Sequence, residues 1–374
     1  MVGEPDRLPT LLHACATFEI GGPQMRFVQL ANHFGSRYRH LIVAMDGKTG
    51  AYGMIAPNVD AQILAVENQR GRTLVNVRNF RRVLIRTAPD LLVTYNWGAI
   101  EWAMANLLAG RPHLHMEDGF GPEEADRQIP RRVWTRRLTL RRSTVLLPSQ
   151  TLASIARTQW RIPEANLIYV PNGIDCARFA AAPDWDFAYT LGIPRGDAIV
   201  GTVAGLRGEK NLRRLIEAFA LVAQRRPVRL VLVGDGAERA ALERRAAELG
   251  IRERVIFTGT CAQPEKLLPC FDVFALSSDT EQMPLSILEA MAAARPIAST
   301  AVGDVAGMVA EENRPYVVPR GVEPLADAIL ALLANPARAA EIGAANARRA
   351  RAQFAQQRMF DVYEGLFDGG VVRR

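Results

Sequence analysis

The sequence predicts an α/β protein made of two Rossmann-like domains in tandem, each a parallel sheet covered by helices. Three observations point there. The chain has 374 residues, and at about 100–200 residues per domain this is enough for two cores. Short apolar runs alternate with helix-period segments through both halves, as β-α-β repetition requires. A single stretch, Pro171-Asn-Gly-Ile-Asp175 followed by Ala180-Ala-Ala-Pro-Asp-Trp-Asp186, is dense in turn formers and lacks periodicity, so the linker is placed there.

Taken in order, the first half shows strand-like runs at 10–16, 40–44, 90–94 and 144–148, with helical patterns between several of them. The second half shows runs at 199–204, 230–233, 255–258, 273–277 and 296–300, with helices over 211–225, 237–249, 284–294 and 324–334. The arginine- and alanine-rich stretch 336–367 reads as further helix. The expected domains are residues 1–178 and 187–350, with 351–374 a C-terminal helix returning to the first. Sheets of this kind hold ligands at the carboxyl ends of their strands, here facing an interdomain cleft, so function is sought in the strand-to-helix loops.

Composition narrows the classes. Apolar residues make up 49% and charged residues 23%, which excludes a disordered or collagen-like chain. Four cysteines, Cys15, Cys176, Cys261 and Cys270, lie far apart without CxxC spacing, so neither a zinc site nor a disulfide framework is expected and a reducing cytosol is. The first apolar run is too short for a signal peptide, and no run reaches the roughly 18 residues of a membrane span. The expected location is cytoplasmic, either soluble or peripheral on the inner face of a membrane.

The net charge is +7, and residues 1–180 carry all of it, with 22 basic against 15 acidic residues. That asymmetry points the first domain toward an anionic partner, a membrane surface or a phosphate-bearing substrate. Nucleic acid is not expected, because aromatics are only 7% of the chain and no recognition motif is present. The basic segment Arg131-Arg-Val-Trp-Thr-Arg-Arg-Leu-Thr-Leu-Arg-Arg142 spreads its six arginines around nearly the whole of a helix. Periodicity therefore gives no one-sided membrane helix, and the membrane expectation rests on the charge asymmetry.

Three loops carry chemistry. Gly21-Gly22-Pro23 opens a helix, where paired glycines let backbone N–H groups approach an anion and the missing donor of Pro23 is harmless. Gly201-Thr-Val-Ala-Gly205-Leu-Arg207-Gly-Glu-Lys210-Asn211 leaves a strand through two glycines, sets two cations three residues apart and ends on an Asn cap. Arg207 offers a planar fork and Lys210 a point charge, a combination suited to a diphosphate. Lys210 stands out because only three of the 46 basic residues are lysine.

The third loop is Ser277-Ser-Asp-Thr-Glu281-Gln-Met-Pro284, which runs into the apolar helix that holds Glu289. Pro284 marks the helix start, leaving Glu281 in the loop and Glu289 on the second turn. Between Met283 and Ala298 the only charges are Glu289 and Arg295, and Arg295 falls on a different helical face. A carboxylate in such surroundings needs hydrogen-bond donors, and ribose or sugar hydroxyls are suitable. One metal-type Asp-x-Asp pair, Asp184 and Asp186, lies in the linker rather than after a strand and is read as chance.

Glu281 followed by seven residues and Glu289 resembles the paired-glutamate motif of retaining GT-B glycosyltransferases, particularly the large family four of nucleotide-sugar-dependent enzymes. The resemblance extends over nearly the whole chain, through Gly21-Gly22, Val170-Pro-Asn-Gly-Ile-Asp175, Arg207 with Lys210, Leu232-Val-Gly-Asp-Gly-Ala-Glu-Arg239 and Val255-Ile-Phe-Thr-Gly259. It implies a GT-B fold and a retaining, metal-independent transfer of a hexose from a UDP- or GDP-linked donor to a glycan or lipid-linked acceptor. No cofactor is implied besides that donor substrate.

Site residues follow from the same resemblance. Arg207 and Lys210 would bind the donor diphosphate, Glu289 the ribose, and Glu281 the transferred sugar, helped by the N–H groups of Gln282 and Met283. Gly21 and Gly22 would close on the phosphate. Where many members have a histidine near the donor sugar, this chain has Asp118, with His115 close by, so either can be the acceptor-side polar group. Two other readings stay open: a nucleotide-sugar epimerase, against which the count of only five histidines weighs, and a non-catalytic nucleotide-sugar-binding scaffold.

Overall fold

In the computed structural model, which describes residues 7–124 and 127–371, the chain divides into two units. One comprises Met1–Pro171 with Met359–Arg374, the other Asn172–Arg358. The first unit is a seven-stranded sheet built from β1 (Thr10–Cys15), β2 (Arg39–Ala44), β3 (Asp60–Ile63), β4 (Leu91–Tyr95), β5 (His113–Met116), β6 (Thr144–Leu147) and β7 (Leu167–Tyr169). Its order is β3-β2-β1-β4-β5-β6-β7 and every pairing is parallel.

Parallel strands covered on both faces should be apolar throughout, and every residue of β1 is buried. Alternate residues serve opposite faces. Leu11 packs in a core with Phe27, Leu30 and Phe34 of helix α1 (Gly22–Phe34) and with Phe360 and Phe367. Leu12 and Ala14 pack on the other face, against α2 (Thr73–Thr87) and α3 (Ile100–Ala109), where Phe80 stacks on Trp102 at 4.4 Å. Helices α4 (Pro130–Leu140) and α5 (Gln150–Thr158) extend this second layer, because each right-handed crossover from β3 to β7 runs in the same direction across the sheet.

The second unit is a six-stranded parallel sheet of β8 (Ala198–Val203), β9 (Val228–Val233), β10 (Val255–Gly259), β11 (Val273–Leu276), β12 (Ile297–Thr300) and β13 (Val317–Val318), in the order β10-β9-β8-β11-β12-β13. One face is covered by α6 (Leu212–Ala223) and α9 (Val322–Ala334), and the other by α8 (Leu285–Ala292). Helix α7 (Arg239–Glu248) follows β9, α10 (Pro336–Gln353) packs beside α8, and α11 (Gln356–Gly365) carries the chain from the second unit into the first.

Four strands lie outside the runs read from the sequence: β3, β5, β7 and β13. β3 and β7 are edge strands of four and three residues with half-exposed patterns, β13 has two residues, and β5 carries two histidines in its four positions. The long C-terminal helical stretch is interrupted at 354–355. There Ile174 N–H donates to the Phe354 carbonyl at 2.8 Å and the Gln356 N–H to the Ile174 carbonyl at 3.0 Å, so a loop of the second unit claims the backbone between α10 and α11. The two compact units divide at 171/172 and 358/359. All four cysteines are free thiols.

Candidate functional site

In the second unit the strand order reverses at β8, between β9 and β11, and the loops leaving β8 and β11 meet at that switch point. The β8 loop ends in a short turn of helix, Gly208–Lys210. Asn211 follows in the left-handed region (φ 42°), caps α6 by accepting the Arg214 N–H, and donates to Asp279 on the β11 loop at 2.9 Å. Arg214 clamps the same loop, reaching the Ser277 carbonyl at 2.8 Å and Asp279 at 2.6 Å, while Ser277 Oγ donates to the Lys210 carbonyl at 3.0 Å. Neither loop can move without the other.

This bracing brings Lys210 and Glu281 together. Lys210 Nζ donates to Glu281 Oε1 at 2.5 Å, and Ser278 Oγ donates to the same oxygen at 2.8 Å. Both charged side chains are mostly enclosed yet reach solvent. The β12 loop presses on the backbone of the acid loop. Gly303, at φ 50°, lies so close that a Cβ there would sit 2.3 Å from the Glu281 carbonyl oxygen, and the Asp304 N–H donates to the Gln282 carbonyl at 2.9 Å. Met283 is buried, with its carbonyl taken by Asn172 Nδ2 at 3.0 Å. Its own N–H has no partner among the described residues.

Glu289 lies on the second turn of α8, half-buried, and no group among the described residues donates to its carboxylate. Burial pushes its pKa up to about 7, opposed by Arg178 and reinforced by Glu265. Arg295 does not pair with it, since its guanidinium donates to the carbonyls of Pro269, Phe271 and Ala293. Arg207 stands apart from the Lys210–Glu281 pair: it is exposed and its Nε lies 3.1 Å from Glu209. Sequence reading set Arg207 and Lys210 three residues apart as a pair for one diphosphate; here Arg207 is paired with Glu209 and Lys210 with Glu281.

In the first unit the switch point lies between β1 and β4. The loops leaving these strands nearly touch, as a Cβ on Gly98 would fall 2.4 Å from Ala16 Cβ. Gly21 is the extended N-cap of α1 and Gly22 its first residue, where a Cβ would meet nothing within 4 Å. One turn on, the buried Arg26 forks onto Asp118 at 2.5 and 2.8 Å. Burial works against the Arg26 charge, but Asp118, Tyr363 and Tyr95 outweigh it and hold its pKa above the ordinary value. The Asp118 N–H donates to Asn96 Oδ1 at 2.6 Å.

His115 has no exposed surface; its Nδ1 lies 2.8 Å from Thr94 Oγ1 and its Nε2 3.4 Å from Glu117. Of the two acceptor-side candidates only Asp118 reaches solvent. Glu117 is wholly buried and takes the Arg136 Nε at 3.0 Å, and Arg136 is enclosed by the rings of Trp97, Phe120 and Trp160. Burial alone would raise the Glu117 pKa, but Arg136 and His115 outweigh it and lower it.

Sequence reasoning missed the partners: Arg26, Ser278, Asp279 with Arg214, and Gly303. Only Arg26 left a trace, as a charge next to Phe27 on a helix otherwise apolar on that side. Asp184 of the Asp-x-Asp pair caps a short helix, accepting the Phe187 N–H at 2.9 Å. Among the described residues no three His, Cys, Asp or Glu side chains gather as a metal site requires, and no helix is long and apolar enough to cross a membrane.

Residues 185–349 match the family model Glycosyl transferases group 1, and residues 20–178 match Glycosyltransferase Family 4. A 2-deoxystreptamine glucosyltransferase of Streptomyces kanamyceticus is 31% identical over 175 residues, 45% of this chain and 45% of that protein. A GDP-mannose-dependent alpha-(1-6)-phosphatidylinositol monomannoside mannosyltransferase of Mycolicibacterium smegmatis is 32% identical over 197 residues, 49% of this chain and 51% of that one. The chain thus spans about half the length of the curated relatives it matches. Among solved structures, Anabaena HepE in complex with UDP-glucose superposes with a TM-score of 0.81 at 20% identity, covering 96% of this chain and 99% of that one.

Proposed function

We propose that this chain, which matches the models Glycosyl transferases group 1 over 185–349 and Glycosyltransferase Family 4 over 20–178 and has the GT-B fold, transfers a hexose from a UDP- or GDP-linked donor to a glycan or lipid-linked acceptor, with retention, in polysaccharide or glycolipid biosynthesis. The observation that carries this reading is the braced Lys210–Glu281–Ser278 cluster at the β8–β11 switch point, with Glu289 a carboxylate that has no donor among the described residues. HepE binding UDP-glucose supports a nucleotide-sugar donor, and the mannosyltransferase relative, named for phosphatidylinositol mannosides, supports a lipid-linked acceptor. Association with an anionic membrane belongs to the same reading.

Each residue then has a task. Lys210 releases Glu281 to offset charge on the diphosphate, and the exposed Arg207 is free to swing onto it. Glu289 accepts from the ribose hydroxyls. Glu281, oriented by Ser278, accepts from the sugar hydroxyls, with the Gln282 and Met283 N–H groups beside it. In the reaction the bond from the anomeric carbon to the diphosphate oxygen breaks and a bond to the acceptor oxygen forms on the same face. The acceptor's proton leaves on the departing diphosphate. Asp118, fixed by Arg26, is the acceptor-side polar group. The leaving group is stabilised by cations and backbone dipoles of the chain, without a metal ion.

The test is a panel of UDP- and GDP-sugars, read by thermal stabilisation, by slow donor hydrolysis and by transfer to a lipid extract, with and without EDTA. Stabilisation and turnover by one donor, indifferent to EDTA, with the product anomer matching the donor's by NMR, is the expected result. Interconversion of the donor sugar without an acceptor would mark an epimerase. Binding without any turnover would mark a scaffold.

A further inference from the structure

We infer that the outward face of the α2–α3–α4 layer of the first unit is a docking surface for an anionic lipid bilayer, an assignment that rests on the membrane-associated reading above and names the surface responsible. The sequence based this expectation on the charge asymmetry of the first half, because the six arginines of 131–142 spread around nearly a whole helix. In the structure two of them turn inward: Arg136 is enclosed with Glu117, and Arg132 pairs with Glu123 and Glu124. Of the other four, Arg137 donates to the Gln159 carbonyl and lies over the Trp134 ring. Arg131, Arg141 and Arg142 are exposed without a carboxylate partner among the described residues, and they flank Trp134 and Leu138, which are 59% and 70% exposed.

Helix α2 repeats the arrangement. Its exposed arc carries Arg78, Arg81, Arg82 and Arg86, none with a carboxylate partner among the described residues, around Leu74 and Ile85, which are 86% and 51% exposed. At 100° per residue these six side chains span about 140° of the helix, opposite the buried Phe80, Val83 and Leu84. No acid occurs in the sequence between Glu67 and Asp90, nor between Asp126 and Glu164. The helix between them, α3, adds Leu108, 67% exposed, and its one acid, Glu101, is half-buried and accepts from Asn76. Both helices cover the same face of the sheet, so their free sides look outward together.

A surface merely kept soluble would mix charge signs and shield its large apolar groups. Here isolated Leu, Ile and Trp side chains stand among arginines without carboxylate partners, while Glu101 and Glu123 are each engaged by Asn76 and Arg132. That is the composition of an interfacial face, on which apolar side chains enter the headgroup boundary while arginines meet lipid phosphates. A nucleic acid would use the cations but has no place for Leu74, Ile85 and Leu138.

The test is co-sedimentation of the full chain with phosphatidylglycerol–phosphatidylcholine vesicles against phosphatidylcholine alone, with Arg78→Glu/Arg82→Glu, Leu74→Glu/Ile85→Glu and Trp134→Glu variants. Binding only to the anionic vesicles is expected, weakened by salt and reduced about tenfold or more in each variant. Trp134 emission should shift to the blue and be quenched by brominated phosphatidylglycerol, an effect absent in Trp134→Phe. Equal binding to neutral vesicles, variants that bind like the parent, or capture of duplex DNA but not vesicles would overturn the assignment. Nucleotide-sugar stabilisation, measured on the same variants, should be unchanged. Vesicle binding without donor binding would sink the transferase reading and leave the surface standing; the converse would sink the surface alone.

Discussion

Glu289 is a carboxylate that has no donor among the described residues and is partly out of water, and the two facts together set its behaviour. Its pKa of about 7 in the fold exceeds the ordinary 4.5, so the folded chain holds this proton more tightly than the unfolded one. Its contribution to stability is therefore fully present below pH 4.5 and declines as pH rises through 7. Glu289→Gln should raise Tm at pH 8 and leave it nearly unchanged at pH 4.5, as measured by scanning calorimetry; an equal shift at both would contradict the assignment. Donor binding should behave in the opposite sense. Ribose hydroxyls need the ionised form, so affinity should grow from pH 6 to 8 in the parent and be flat in Glu289→Gln.

This residue was legible in the sequence because charge is scarce around it, as Lys210 was because lysine is scarce in the chain. Their partners were not legible. Ser278 acts on Glu281 through a loop turn, and Arg26 acts on Asp118 from 92 positions away in the sequence. No spacing rule reports a contact of that kind, because the folded topology and not local periodicity creates it.

At the scale of elements, the switch-point loops are held by each other rather than by their own strands. Gly303 is the tightest point. An alanine there meets both a left-handed backbone and the Glu281 carbonyl, so Gly303→Ala should cost about 2 kcal/mol or more in stability and lower kcat/KM at least about tenfold by displacing the acid loop. Urea unfolding and steady-state kinetics check this; a stable, fully active variant would show that the loop is looser than its geometry. The strands that escaped sequence reading, β3, β5, β7 and β13, are short, half-exposed or carry histidines, and a sheet edge or a buried polar pair defeats the apolar-run criterion for the same reason. Helix α4 shows a different limit. Its arginines looked evenly spread because periodicity cannot tell which ones find an inward partner. Arg136→Met, which leaves Glu117 buried and unpaired, should destabilise by about 3–5 kcal/mol, whereas Arg141→Met should change little in the same urea titration.

For the whole molecule, the two-unit α/β architecture could be read from length, alternation and one turn-rich break, since these reflect how many cores the chain can fill and where it cannot fill one. The return of 359–371 to the first unit depends on Phe360, Tyr363 and Phe367 packing against α1, and sequence alone could only suggest it. The central claim is that the Lys210–Glu281 cluster with Glu289 holds a nucleotide sugar. The most direct measurement is calorimetric titration of the accepted donor into the parent, Lys210→Ala and Glu289→Gln. A single site in the parent, weakened about 100-fold in Lys210→Ala and at least tenfold in Glu289→Gln, is predicted. Unaltered affinity in both variants, with their folds intact, would contradict the account.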